Sequence, residues 1–174
     1  LGPAIQQLIS VTEQTIQEAR RIMTDLRPSL LDDLGIVKTL EWFCREFQTL
    51  HPNTHIEASI SIEESEIPDP LGIIVFRVVQ EAFHNVAKHS NAEYVSISLS
   101  GTEDHIALRI EDNGDGFVLE PGPRHESIRA GLGLSSMKER VELSGGRFSL
   151  ESSVGEGTTI TAVWPRADGN RTGC

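Results

Sequence analysis

Residues 105–117 read HIALRIEDNGDGF, and the reading of this stretch decides the fold. From His105 to Glu111 apolar and polar positions alternate, the period-two pattern of a strand with one face in a core. The alternation then runs into Asp112, Asn113, Gly114, Asp115 and Gly116. Asn-Gly and Asp-Gly are common hairpin-turn pairs, because these residues tolerate the positive φ that tight turns need. A turn alone leaves the carboxylates idle, so the flanking elements must say whether one of them has a chemical task.

Upstream, YVSISLS (94–100) alternates in the same way, and GTED separates it from HIALRIE, so the two strands form a hairpin. Before them, LGIIVFRVVQEAFHNVAKH (71–89) is a strong helix whose apolar first turns predict deep burial, and HIEASISI (55–62) is a further strand. SLLDDLGIVKTLEWFCREF restarts the chain after Pro28 and runs helically to about Leu50, with Asp32 and Asp33 as acidic first-turn residues and Leu40, Phe43 and Phe47 on one face. Downstream, VLEPGPRHESIRAGLGLSS has no periodicity and is expected to be a mobile loop. MKERVELSG is a short helix closed by Gly145 and Gly146, and RFSLES with TTITAVW forms a last hairpin around SVGEG. This order predicts an α+β fold: a two-layer sandwich in which helices cover one face of a mixed, mostly antiparallel sheet.

Ahead of this unit, Ile5, Leu8, Ile9, Ile16, Ala19, Ile22, Met23 and Leu26 recur every three or four residues. They predict an amphipathic helix of about seven turns that stops before Pro28. A stripe this long calls for a partner in a helix pair or intermolecular bundle, or else for its own domain's surface. The expected organisation is a helix over 1–30, one domain over 31–166 and a polar, disordered tail over 167–174.

The apolar fraction is 38% and no window approaches the roughly 20 apolar residues that span a bilayer. The N-terminus has no signal-peptide pattern and no initiator Met, so the chain reads as a cytoplasmic piece of something longer. Cys44 and Cys174 make neither a disulfide framework nor a metal quartet. A net charge of −11 argues against nucleic-acid binding, which needs clustered Lys and Arg, and leaves room only for a local anion pocket.

In the apolar helix, Arg77, Glu81, His84, Asn85 and Lys88 share one face, which reads as the wall of a site or as a solvated face. Glu81 and Asn85, four apart, would set a carboxylate beside an amide carbonyl, hard donors suited to a Mg²⁺ ion that completes its shell with phosphate and water. Glu81 could orient or deprotonate an attacking water, and Lys88 and His89 could approach phosphates. The Gly131–Leu134 stretch, GLGL, opens a helix and would offer backbone N–H groups to an anion, though GxG alone is weak. A buried Asp112 could accept a hydrogen bond from an exocyclic amine such as adenine N6, with Gly114 and Gly116 letting the backbone lie close to the ring.

These stretches together carry a resemblance. QEAFHNVAKHS resembles the N box, EDNGDGF the first glycine box and GLGLSSMKERV the second glycine box of the ATP-binding domain of sensor histidine kinases. VGEGTTITAVWP is similar to the closing hairpin of that domain, whose fold is the GHKL ATPase type. RRIMTDLRPSLLDDLGI resembles the second dimerisation helix and its join to the catalytic domain in the nitrate-sensor and DesK-like subfamily. The resemblance implies ATP and Mg²⁺ as cofactors, Asp112 at adenine N6, Asn85 on Mg²⁺, and Glu81 at the acidic N-box position. It further implies Lys88 and His89 toward ribose or phosphates, Gly131, Leu132, Gly133 and Leu134 at the lid over the phosphates, and Thr158 near adenine.

The same resemblance implies a protein histidine kinase that is dimeric in full length and passes its phosphoryl group to a response regulator with a helix-turn-helix output domain. The acceptor His of that subfamily lies on a first dimerisation helix, and none is recognised in this chain. His125 is followed by the expected acidic residue, Glu126, but falls in the lid, while His51, His55, His84, His89 and His105 fall in the catalytic region. The alternatives are a stand-alone GHKL ATPase, an anti-sigma-type serine kinase, or a non-catalytic module whose nucleotide regulates partner contacts.

Overall fold

A computed structural model describes residues 29–119 and 131–166. The stripe ahead of Pro28, most of the glycine- and proline-rich loop with His125, and the tail from 167 lie outside the described residues. In chain order the elements are α1 (Ser29–Leu50), β1 (His55–Ser61), a 3₁₀ turn (Glu64–Glu66), α2 (Asp69–Asn85), a π turn (Val86–Ser90), β2 (Tyr94–Gly101), β3 (His105–Asp112), α3 (Gly131–Leu143), β4 (Arg147–Ser153) and β5 (Gly157–Pro165). The strands form one sheet in the order β1-β2-β3-β5-β4. Only β1 and β2 run parallel, with α2 as the crossover a parallel pair requires, and the other pairs are antiparallel.

The register aligns the alternating residues into rows across the sheet. Leu99, Leu108, Ala162 and Phe148 make one row, and Ile97, Ile110, Ile160 and Leu150 the next. Against these rows pack Val75, Phe76, Val79 and Phe83 of α2, Leu40 and Phe47 of α1, and Met137 and Val141 of α3, all buried. Phe43 and Phe47 meet Phe83 edge-on with ring centres 5.4 and 4.8 Å apart, which locks the two helices together. Each such side chain stabilises the fold by roughly 1.5–3 kcal/mol. The opposite sheet face carries Ser96, Ser98, Arg109 and Glu111, so the sandwich has two layers.

Two departures from the periodic reading have local causes. α1 is broken at Gly35, whose φ of 79° and ψ of 177° no helical residue adopts. The helix restarts at Ile36, and its first free N–H groups are not satisfied by Asp32 or Asp33 but by Glu64, whose carboxylate accepts from Ile36 N and Val37 N at 2.8 Å each. That carboxylate occupies the place a side chain at 35 would fill, which gives glycine a second reason to be there. The buried helix also stops being α-helical at Asn85, and the next five residues wind as a π turn ending at Asn91, the one non-glycine residue of positive φ among those described. Among the described residues no helix is long and apolar enough to cross a membrane.

Candidate functional site

One register row breaks the apolar pattern. Beyond Ile97, Ile110, Ile160 and Leu150 comes Val95, Asp112, Thr158 and Ser152, on the same face two residues further along each strand. The core face of the sheet therefore turns polar at its last row, of which Asp112 and Thr158 line a cleft of about 440 Å³. Glu81, His84, Asn85 and His89 stand on another wall, Gly116, Phe117, Gly133 and Leu134 complete it, and Val86, Ile110 and Ile160 contribute apolar surface. Apolar walls with a few convergent polar groups are the make-up of a small-molecule site.

Asp112 ends β3 and is 8% exposed. Its Oδ1 accepts a hydrogen bond from Gly114 N at 2.9 Å, so one carboxylate oxygen shapes the turn. Burial pushes the Asp112 carboxyl above the ordinary Asp value, the Gly114 N–H opposes the push, and the neighbouring Glu111 carboxylate adds to it.

The polar residues around Asp112 hold the loop. Asn113 Oδ1 accepts from Glu93 N and Tyr94 N at 3.1 and 2.9 Å. Asp115 N donates to Ser90 O at 2.6 Å, its carbonyl accepts from Gly155 N at 2.7 Å, and its Oδ2 accepts from Asn91 Nδ2 at 2.7 Å. Asp115 is thus more than a turn residue: it ties the π turn, its own loop and the β4–β5 turn together.

Thr158 sits between Asp112 and Ser152 in the row, and its Oγ1 lies 3.0 Å from Ser152 Oγ. Ser152 Oγ also donates to Gly157 O at 2.9 Å and accepts from Phe117 N at 3.0 Å. Sequence reading passed over Ser152, Ser90 and Phe117. The signal for Ser152 is the alternation of β4, which puts it on the core face with Phe148 and Leu150.

The helix face is only partly a site wall. Glu81, His84 and Asn85 line the cleft, whereas Arg77 turns to Gln80, 3.0 Å from Nη1, and Lys88 is exposed and outside the lining. His89 follows Asn85 by four residues, about one turn, and the wider winding of the π turn carries Lys88 further off that line. Gly114 is buried behind the loop, where a side chain would meet Ser90 O and stand 2.6 Å from Ser90 Cβ. Gly131 and Leu132 open α3.

Whether this cleft suits a magnesium nucleotide can be judged from its polar atoms. Asn85 Nδ2, which can only donate, is buried without a partner and suits an acceptor oxygen of a group entering the cleft, while a cation would use the amide Oδ1 of the same side chain. Among the described residues no three His, Cys, Asp or Glu side chains gather to hold a metal alone. A cation here would need phosphate and water for most of its shell, as Mg²⁺ does. The donor set fits.

The chain belongs to the family described as histidine kinase-, DNA gyrase B- and HSP90-like ATPases, whose model matches residues 72–168. That span contains every cleft residue named above, and ATP use follows from membership. The oxygen sensor histidine kinase NreB of Staphylococcus carnosus (strain TM300) is 33% identical over 161 residues, covering 91% of this chain and 44% of the relative. The signal transduction histidine-protein kinase/phosphatase DegS of Brevibacillus brevis is 32% identical over 161 residues, covering 92% and 40%. The chain therefore spans less than half the length of these curated relatives. Among solved structures, the blue-light activated histidine kinase of Erythrobacter litoralis EL346 superposes with a TM-score of 0.62 at 17% identity, over 88% of this chain and 49% of that one. The histidine kinase AdeS of Acinetobacter baumannii gives 0.57 at 14%, over 93% and 82%. At these identities the likeness is one of fold.

Proposed function

We propose that this chain is the ATP-binding, catalytic part of a cytoplasmic two-component sensor histidine kinase of the nitrate-sensor and DesK-like type. It would pass the γ-phosphoryl group of ATP to a His on a dimerisation helix outside this chain, for relay to a response regulator with a helix-turn-helix output domain. The observation that carries the reading is the meeting of Asn85, Asp112, Gly133 and Thr158, from four separate stretches of sequence, in one cleft.

In this reading the free oxygen of Asp112 accepts a hydrogen bond from the exocyclic amine of adenine, and Thr158 stands beside it in the sheet. Asn85 would hold Mg²⁺, with His89 toward the phosphates and ribose, Lys88 reaching them from outside the cleft lining, and Gly131 to Leu134 bordering the lid. Bound Mg²⁺ would supply charge neutralisation to the phosphate oxygens. Glu81, one helical turn before Asn85, is the group that would hold or accept the proton of the attacking atom. In the transfer, a P–N bond to the acceptor imidazole forms as the γ P–O bond breaks, ADP leaves with the electron pair, and the imidazole gives up a proton. The protein's share is positioning and charge.

The test mixes this chain with a separate helix that bears the acceptor His, in the presence of labelled ATP. A labelled helix is expected, and Asn85→Ala is expected to abolish the Mg²⁺-dependent label. ATP hydrolysed with no label on the helix would favour a stand-alone ATPase instead. The full-length protein is expected to be a homodimer without direct nucleic-acid contacts.

A further inference from the structure

The last register row of the sheet poses a question of protons. Ser152 has one hydroxyl hydrogen and three neighbours: Phe117 N at 3.0 Å, Gly157 O at 2.9 Å and Thr158 Oγ1 at 3.0 Å. The Phe117 N–H can only donate, and Gly157 O can only accept, so the Ser152 hydrogen goes to Gly157 O. The third contact is satisfied when Thr158 donates its own hydrogen to Ser152 Oγ. Thr158 then has only lone pairs left for the cleft that it lines. Its neighbour in the row, Asp112, has one oxygen committed to Gly114 N and a second without a hydrogen bond to the protein. The two polar groups that this row turns to a ligand are both acceptors.

We propose that Ser152 is a positioning residue that fixes Thr158 as a hydrogen-bond acceptor, and that Asp112 and Thr158 together thereby select a purine bearing an amino group over one bearing a carbonyl at the same place. This rests on the reading of the cleft as an ATP site and adds to it a residue that does not line the cleft. The physical basis is the cost of an unmatched buried polar pair: with both acceptors facing the C6 substituent, an amino group donates to them, whereas a 6-oxo group loses that hydrogen bond and is repelled, its N1–H lying at the neighbouring ring position. Ser152→Ala removes the acceptor for the Thr158 hydrogen. The freed hydroxyl can rotate and donate toward the cleft, so a 6-oxo purine is no longer refused by that group.

The experiment compares binding of ATP and inosine triphosphate by calorimetry to the chain, to Ser152→Ala, to Ser152→Thr, and to Thr158→Val with and without Ser152→Ala. The parent is expected to prefer ATP, and Ser152→Ala is expected to reduce the ATP-to-ITP preference about five- to tenfold, the worth of one neutral hydrogen bond. Ser152→Thr, which keeps the oxygen, is expected to restore the preference. In the Thr158→Val background, Ser152→Ala is expected to leave the ratio alone, because the group it acts through is gone. Without nucleotide, hydrogen exchange at the Phe117 amide should quicken in Ser152→Ala and not in Ser152→Thr. Equal loss of ATP and ITP affinity in a folded Ser152→Ala would overturn the proposal and leave Ser152 as loop support. If the parent chain binds neither nucleotide, the reading of the cleft fails before Ser152 is at issue.

Discussion

The two glycine-rich segments at the cleft use the same residue for opposite reasons. In the loop after β3, a side chain at Gly114 would run into Ser90 O, and one at Gly116 into Ser153 O with Gly157 O 2.8 Å away. These neighbours are backbone atoms within hydrogen-bonded segments, and Gly116 also has a φ of 58°. At the start of α3, a side chain at Gly133 would stand 2.8 Å from the Glu81 carboxyl carbon and nearer still to its Oε1. There the obstacle is the tip of a flexible side chain, which can swing away. The first segment needs glycine to fold, while the second needs it to leave a chemical group where it is.

The largest effect should come from Gly116→Ala, which combines a positive φ with a collision against backbone. About 2–4 kcal/mol of stability should be lost, visible as a lower midpoint in denaturant unfolding. A variant that unfolds at the parent's midpoint would remove the contrast between the segments.

Asp112→Asn separates shape from chemistry within the first segment. The amide oxygen can still accept from Gly114 N, so the loop should keep its form while ATP affinity falls at least about tenfold. The substitution also has a pH signature. Burial raises the Asp112 carboxyl, so between the ordinary Asp value and the raised one the folded chain holds more protons than the unfolded chain. This group's contribution to stability is therefore present at low pH and is lost as pH rises through that window. Thermal melts over the acidic range should show a flatter profile for Asp112→Asn, and an unchanged slope would count against the buried carboxylate.

Asn91→Gly, which keeps the positive φ, takes away one partner of Asp115 and should cost about 1 kcal/mol, since the backbone bonds of Asp115 to Ser90 and Gly155 remain. A loss of several kcal/mol would mean that the side-chain bond, rather than the backbone, holds the π turn. Gly133→Ala should have the smallest effect on stability, within about 0.5 kcal/mol, yet slow the proposed phosphoryl transfer by moving Glu81. If melting falls as far as in Gly116→Ala, the two glycine segments are alike after all.

Much of this was legible before any coordinates. The alternation in β2, β3 and β5 foretold both the sheet and its buried face, because a period of two can serve only a strand with one side covered. Asp112 stood out as a candidate acceptor in EDNGDGF, and the structure shows that it continues the buried phase of Ile106, Leu108 and Ile110, which puts its carboxylate on the core face. The helix face was read less well. Of Lys88 and His89, both expected to approach phosphates, only His89 lines the cleft, while Lys88 is exposed beside it. Nothing local announces a π turn in VAKHS, since the turn is held by distant partners: Ser90 O receives Asp115 N, and Asn91 reaches Asp115.

By itself, then, the sequence determined the α+β class, the order of its elements and the buried phase of its strands. It could do so because periodicity and turn chemistry act over a few residues. Only the tertiary structure decided that Glu64 caps the helix restarting after Gly35, that Ser152 rather than a residue of any glycine segment governs the Thr158 hydroxyl, and that Gly133 lies against the Glu81 carboxylate. Each of these depends on the register between strands or the packing of helices far apart in the chain, and a contact of that range is set by the whole fold's closure rather than by neighbours in sequence.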